Sequence, residues 1–152
     1  MVRLLVCGSR TWADAPRVGR EIGLIAPSEV IHGAAPGADT MAASEAVGWA
    51  CALGHALIVR PFPADWKRDG NSAGPRRNAR MLAEGKPDRG LAFGALYREA
   101  DNRGGGARNT GAPRTGTGDM VRRMLAAGLP VRWIATSDAP AIDLVAMPEP
   151  PR

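Results

Sequence analysis

Residues 32–43 read HGAAPGADTMAA, directly after the short apolar run Glu29-Val30-Ile31. Gly33 and Gly37 permit a close approach of the backbone to another surface. The helix expected from Ala38 offers unpaired amides with a partial positive charge, the usual setting for a bound anion. Asp39 in its first turn is an ordinary N-terminal acid and by itself asks for no ligand. The small residues before it are not explained that way, and they point to a surface that presses peptide nitrogens against something. His32 is read as satisfying a neighbouring backbone group, with no part in proton transfer.

Three further segments have related chemistry. Gly8-Ser9-Arg10-Thr11-Trp12 combines a glycine turn, two hydroxyls, a guanidinium fork suited to phosphate and a flat ring suited to a base or sugar. Trp12 is the preferred ring; Trp66, in FPADW, is read as closing the core. In Ala73-Gly74-Pro75-Arg76-Arg77-Asn78-Ala79-Arg80, arginines follow a proline at a helix start. They oppose the helix dipole there, a conflict that an anion held between them and the amides resolves. Arg77 and Asn78 are the ligand candidates, with Arg76 and Arg80 on the surface. Thr115-Gly116-Thr117-Gly118-Asp119-Met120 places glycine and hydroxyl at another helix mouth. Neither GxxxxGK[ST] nor a GxGxxG after the first strand is present.

These segments need a scaffold that brings them to one place. Val2 to Cys7 reads as a buried strand, and Val30–His32, Ala56–Val59, Arg89–Phe93 and Val131–Ile134 as four more. Between them lie helices expected over Ala15–Ala26, with Pro16 early, Ala38–Leu53, Gly74–Glu84 and Gly118–Ala127. The inward face of the second is assigned to Met41, Ala42, Ala46, Trp49 and Leu53. The alternation predicts an α/β, Rossmann-like three-layer sandwich with a mainly parallel sheet of about five to six strands. Right-handed crossovers put every strand-to-helix loop at one edge, where such folds bind ligands. Residues 97–114, with four glycines and no large aliphatic side chain, are expected to form a flexible insertion in a domain spanning 1–137. A proline-rich tail, 138–152, follows, with Ile142–Val145 as an edge strand or cap.

Bulk properties narrow the function. A chain of 152 residues fits one domain. No apolar run approaches the roughly 20 residues of a membrane span, and MVRLLVCGSRTW is too quickly polar for a signal peptide, so a cytoplasmic setting without membrane contact is expected. Cys7 and Cys51 lack metal-ligand spacing and are read as buried thiols; no metal or cofactor is expected. The formal charge of +5 is concentrated: residues 60–80 carry an excess of four positive charges and 98–114 an excess of two. The first segment points to an anionic partner at a defined place, and the second is read as a solvated loop.

Taken in order, VCGSRTW, HGAAPGADTMAA, FPADWKRDGNSAGPRRNARML, LAFG and TGTGDMVRRMLAAGLPV resemble the YspA-like (cpYpsA-related) branch of the SLOG superfamily. That superfamily includes the Lonely Guy phosphoribohydrolases and DprA. The resemblance runs from Val2 to about Val131, leaving out 97–114. It implies a nucleotide or nucleotide-derived, signalling-type ligand held by Gly8, Ser9, Arg10, Gly33, Asp39, Arg77, Asn78, Gly116 and Thr117; Trp12 and Gly37 join them from the residue reading. It also implies a homodimer or higher homo-oligomer. Lonely Guy enzymes are similar in having an arginine where Arg77 lies, but their later PGGxGTxxE motif survives only as Gly116-Thr117. Met120 stands where their glutamate is expected, and methionine neither accepts a proton nor stabilises an oxocarbenium ion. Three readings follow: a nucleotide-binding or sensing module, a nucleotide N-glycoside hydrolase with Asp39, Arg77 and Asp119 as catalytic candidates, and, less favoured, DprA-like nucleic-acid binding.

Overall fold

The computed structural model describes residues 1–99 and 114–152. It is an α/β fold around a single six-stranded, mostly parallel sheet. The strands are β1 (Arg3–Gly8), β2 (Glu29–His32), β3 (Ile58–Pro61), β4 (Arg89–Phe93), β5 (Val131–Ile134) and β6 (Ile142–Leu144), with helices α1 (Ala15–Ile25), α2 (Ala38–Leu53), α3 (Trp66–Asp69), α4 (Ala73–Gly85) and α5 (Gly116–Ala126). The order is β3-β2-β1-β4-β5-β6, parallel throughout except for β6, which pairs antiparallel with β5. Of the expected flexible insertion, residues 100–113 lie outside the described residues.

Side-chain alternation on the central strands divides the core in two. Leu4 and Val6 of β1 and Leu91 and Phe93 of β4 join Val18 and Ile22 of α1 and Ala38, Ala42 and Ala46 of α2. Leu5 and Cys7 of β1 and Ala92 of β4 join Met81 of α4 and Met120, Val121 and Met124 of α5. Each large apolar side chain so buried contributes about 2 kcal/mol. The first helix starts where the sequence places it because the Asp14 carboxylate accepts a hydrogen bond from the Arg17 amide at 3.0 Å.

Several details differ from the sequence reading. β3 lies two residues later than expected: Gly54 ends α2 in a left-handed conformation, and pairing with β2 begins at Glu29 opposite Ile58. Pro61 then closes an edge strand, where its missing donor is tolerated. The buried stripe of α2 is Ala38, Asp39, Ala42, Ala46 and Ala50. Met41 and Trp49 only flank the core, and Leu53, assigned inward, is 67% exposed. Cys7 is a buried thiol as expected, but Cys51 is exposed, because its neighbour Ala50 takes the inward position. The four-residue α3 has no counterpart in the sequence reading.

The segment beyond residue 137 is tied to the sheet. Ile142 of β6 pairs with Trp133 of β5. Glu21, buried on α1, accepts from Arg17 at 3.1 Å and from Arg132 of β5 at 2.6 Å. Arg132 also pairs with Asp143 of β6 at 3.5 Å, and Arg17 donates to the Ser137 carbonyl at 3.1 Å.

The chain builds outward from β1 to β3, then returns to place β4 on the other side of β1. The loops leaving β1 and β4 therefore diverge, and a crevice opens beyond the strand ends at this reversal. Among the described residues, no helix is long and apolar enough to cross a membrane.

Candidate functional site

A hollow of about 1040 Å³ occupies this crevice. Cys7, Gly8, Ser9 and Arg10 enter it from the end of β1, Asp39 from the first turn of α2, and Trp66 from α3. Gly74, Arg77 and Asn78 line it from the start of α4, and Gly116, Thr117, Asp119 and Arg122 from the start of α5. Three separated segments of the sequence reading thus contribute to one cavity, and Asp39 brings in the fourth.

Gly33, Gly37 and Trp12 are not part of its lining, and packing explains why. Gly37 has φ +82°, and a Cβ there would collide with the Ser9 carbonyl oxygen and lie 2.6 Å from the Arg10 carbonyl carbon. The Ala38 amide also donates to the Ser9 carbonyl at 3.2 Å. The loop before α2 therefore lies directly on the loop after β1. A Cβ on Gly33 would sit 2.7 Å from the Arg77 guanidinium carbon and 2.8 Å from an Asp39 oxygen. The glycines that suggested a ligand pressed against backbone instead let the protein press against itself. Ala35 is the part of that loop that reaches the cavity.

At the floor, Asp39 is buried and accepts from the Gly33 amide at 2.8 Å. Arg77 donates to the Gly33 carbonyl, and its Nε donates to the Asn78 side-chain oxygen at 3.0 Å. Burial raises the Asp39 carboxyl from 3.8 to about 6, with Arg77 opposing the rise. Burial, reinforced by Asp39, also pushes the Cys7 thiol above its ordinary range, so it is a neutral group here. The raised Asp39 value sets a sign. The protonated acid is favoured in the folded state, so its contribution is present below about pH 4 and is lost as pH rises through about 6. Relative to Asp39→Asn, wild type is expected to lose about 2 kcal/mol of stability between pH 4 and 7. Chemical denaturation of both proteins across that range checks this; parallel pH profiles would contradict it.

Asn78 braces two helix starts. Its amide nitrogen donates to the Gly116 carbonyl at 3.4 Å and to Asp119 at 3.1 Å. Burial works against ionisation of Asp119. Hydrogen bonds from Arg123, Asn78 and Arg122 outweigh it and hold the carboxyl below its ordinary value. Asp119 is thus an ionised anchor whose lone pairs are engaged. Thr115 caps α5 by accepting from the Gly118 amide at 2.9 Å. At such a helix start the first amides lack partners within the helix, and Gly116 and Thr117 at this start line the hollow.

Two expectations about side chains are reversed. Trp12 is 8% exposed, packs on Phe93 with ring centroids 5.1 Å apart, and donates its indole N–H to the Asp14 carbonyl. Trp66 is the tryptophan that lines the cavity. The second basic segment is not merely a solvated loop, since Arg98 and Arg114 both line the hollow, brought to it by a bridge between Tyr97 and Arg114. No signal in the linear sequence links these two arginines. His32 behaves as expected: it is buried and accepts from the Ala34 amide at 3.1 Å. Arg76 and Arg80 lie on the surface, near Asp69 and Glu84 respectively. Among the described residues, no group of three His, Cys, Asp or Glu side chains is placed to hold a metal ion.

Comparison with family models, curated proteins and solved structures gives no match to this chain.

Proposed function

We propose that the hollow binds a nucleotide or nucleotide-derived ligand, within a Rossmann-like three-layer sandwich of the SLOG kind. One observation carries the reading: five arginines (10, 77, 98, 114 and 122) and two aspartates share one cavity beyond the ends of parallel strands. One of the two, Asp119, is already paired with Arg122 and Arg123. The excess of positive charge calls for an anion, and the start of α5 supplies peptide nitrogens for it. A phosphate beside Arg77 accepts from a guanidinium already oriented by Gly33 and Asn78. Arginines gathered in a hollow, rather than spread along a groove, favour a small ligand over a nucleic acid. A homo-oligomer remains part of this proposal through the resemblance alone.

A second reading has its own support. The Asp39 carboxyl, raised to about 6, has a value suited to proton transfer near neutrality. A nucleotide N-glycoside hydrolase would use it with Arg77. Met120 offers that chemistry nothing, since it is fully buried in the core.

A thermal-shift panel of nucleotides, cyclic dinucleotides and ADP-ribose derivatives tests the first reading. A ligand at about 100 times its Kd stabilises by about 2.7 kcal/mol, and a rise in Tm of roughly 8 °C is expected for a chain of this size. No rise with any compound overturns the binding proposal. Release of free base from a nucleoside monophosphate, lost in Asp39→Asn, would favour the hydrolase instead.

A further inference from the structure

We propose that Trp66 and Arg10 form a nucleobase subsite at the rim of the hollow. The inference rests on the nucleotide reading and adds a recognition site for the part of the ligand that carries no phosphate.

Trp66 opens α3, a helix of only four residues, and so short a helix does not persist without side-chain support. The support is present. Asp65 accepts from the Arg68 amide at 3.0 Å, Arg68 pairs with Asp69 at 2.9 Å, and the Ser72 hydroxyl donates to the Asp69 carbonyl at 2.7 Å. These contacts hold the turn that carries the indole to the cavity. A Cβ on Gly74, in the first turn of α4, would touch the ring at 3.7 Å, so the ring is seated beside the mouth of that helix. Trp66 is nevertheless 50% exposed, whereas Trp12 is 8%.

Above the ring lies the Arg10 guanidinium, 5.4 Å from its centroid. Both residues line the hollow that contains Arg77. A planar aromatic base stacks on an indole or on a guanidinium, and the preference is tolerant of base identity. A base entering here stacks on Trp66, and the Arg10 guanidinium shifts outward to cover the base's other face. Asn71, also at the hollow, carries an amide able to read a base edge.

Calorimetric titrations with ADP and with inorganic pyrophosphate, on wild type and Trp66→Ala, test the subsite. Wild type is expected to bind ADP about 10-fold or more tightly than pyrophosphate. Trp66→Ala should lose that advantage and keep its pyrophosphate affinity within about two-fold. Trp66→Phe retains a stacking ring and should restore most of the ADP affinity. ADP should quench tryptophan emission in wild type far more than in Trp66→Phe, a readout that survives if the alanine variant misfolds. Equal binding of ADP by wild type and Trp66→Ala, or of the two probes by wild type, overturns the subsite while leaving an anion site intact. Failure of wild type to bind either probe overturns the subsite, and the nucleotide reading falls with it only if the thermal-shift panel also gives no rise.

Discussion

Arg77→Ala is expected to lower nucleotide affinity by about 100-fold or more, the largest binding effect of any single substitution in the hollow. Two features set the size. The guanidinium is already held in place by the Gly33 carbonyl and the Asn78 side chain, so little side-chain freedom is lost when an anion arrives. Truncating one partner of a desolvated, hydrogen-bonded charge pair typically costs 2–5 kcal/mol, roughly 30-fold to several thousand-fold. Arg77→Lys should recover only part of the affinity, since an ammonium cannot hold Gly33, Asn78 and a phosphate in one plane. Removing Arg77 also takes away the charge that restrains Asp39, so the acid's titration should move further above its present value. Calorimetry with the best ligand from the panel measures the first effect, and carboxyl NMR the second. An affinity within three-fold of wild type would remove Arg77 from the site.

Gly37→Ala is expected to be strongly destabilising, costing about 3 kcal/mol or more. The residue has φ +82° and ψ −127°, a backbone conformation open in practice only to glycine. An added methyl also meets the Ser9 and Arg10 backbone, which has no flexible end to swing aside. The two penalties act together, and relief of either moves the loop after β1 relative to α2. Arg10 travels with that loop, so binding should weaken along with stability. Urea unfolding provides the check: a loss below about 1 kcal/mol would mean that the two loops are not in contact in solution. Gly54→Ala is a useful contrast, since that glycine also has positive φ but meets nothing within 4 Å.

The parts of the fold visible in the sequence are those governed by local periodicity. β4, β5 and α2 fall where the apolar runs, Gly54 and the following breaks put them, and the β1–β5 alternation with helices already implies a parallel sheet. Arg77, Asn78, Gly116 and Thr117 were legible as site candidates because helix mouths have a recognisable composition. What was hidden depended on contacts between distant segments. α3 is too short to show a period. Trp12 folds back onto Phe93, a partner far away in the chain. Gly33 and Gly37 are needed, but for loops stacked on one another, and residue types alone cannot say whether a close neighbour is a ligand or the protein itself. Arg98 and Arg114 converge only through pairing across the insertion.

The carboxylate of Glu21 has a bearing on how the molecule comes apart. It joins the earliest helix to a late strand, and through Arg132 and Asp143 the link extends to the edge of the sheet. Separating α1 from β5 would part the buried Glu21 from Arg132, so these two elements should open as one cooperative unit and exchange their amide hydrogens at similar rates. Truncation at residue 137 would take Asp143 away from that unit rather than trim a dispensable tail.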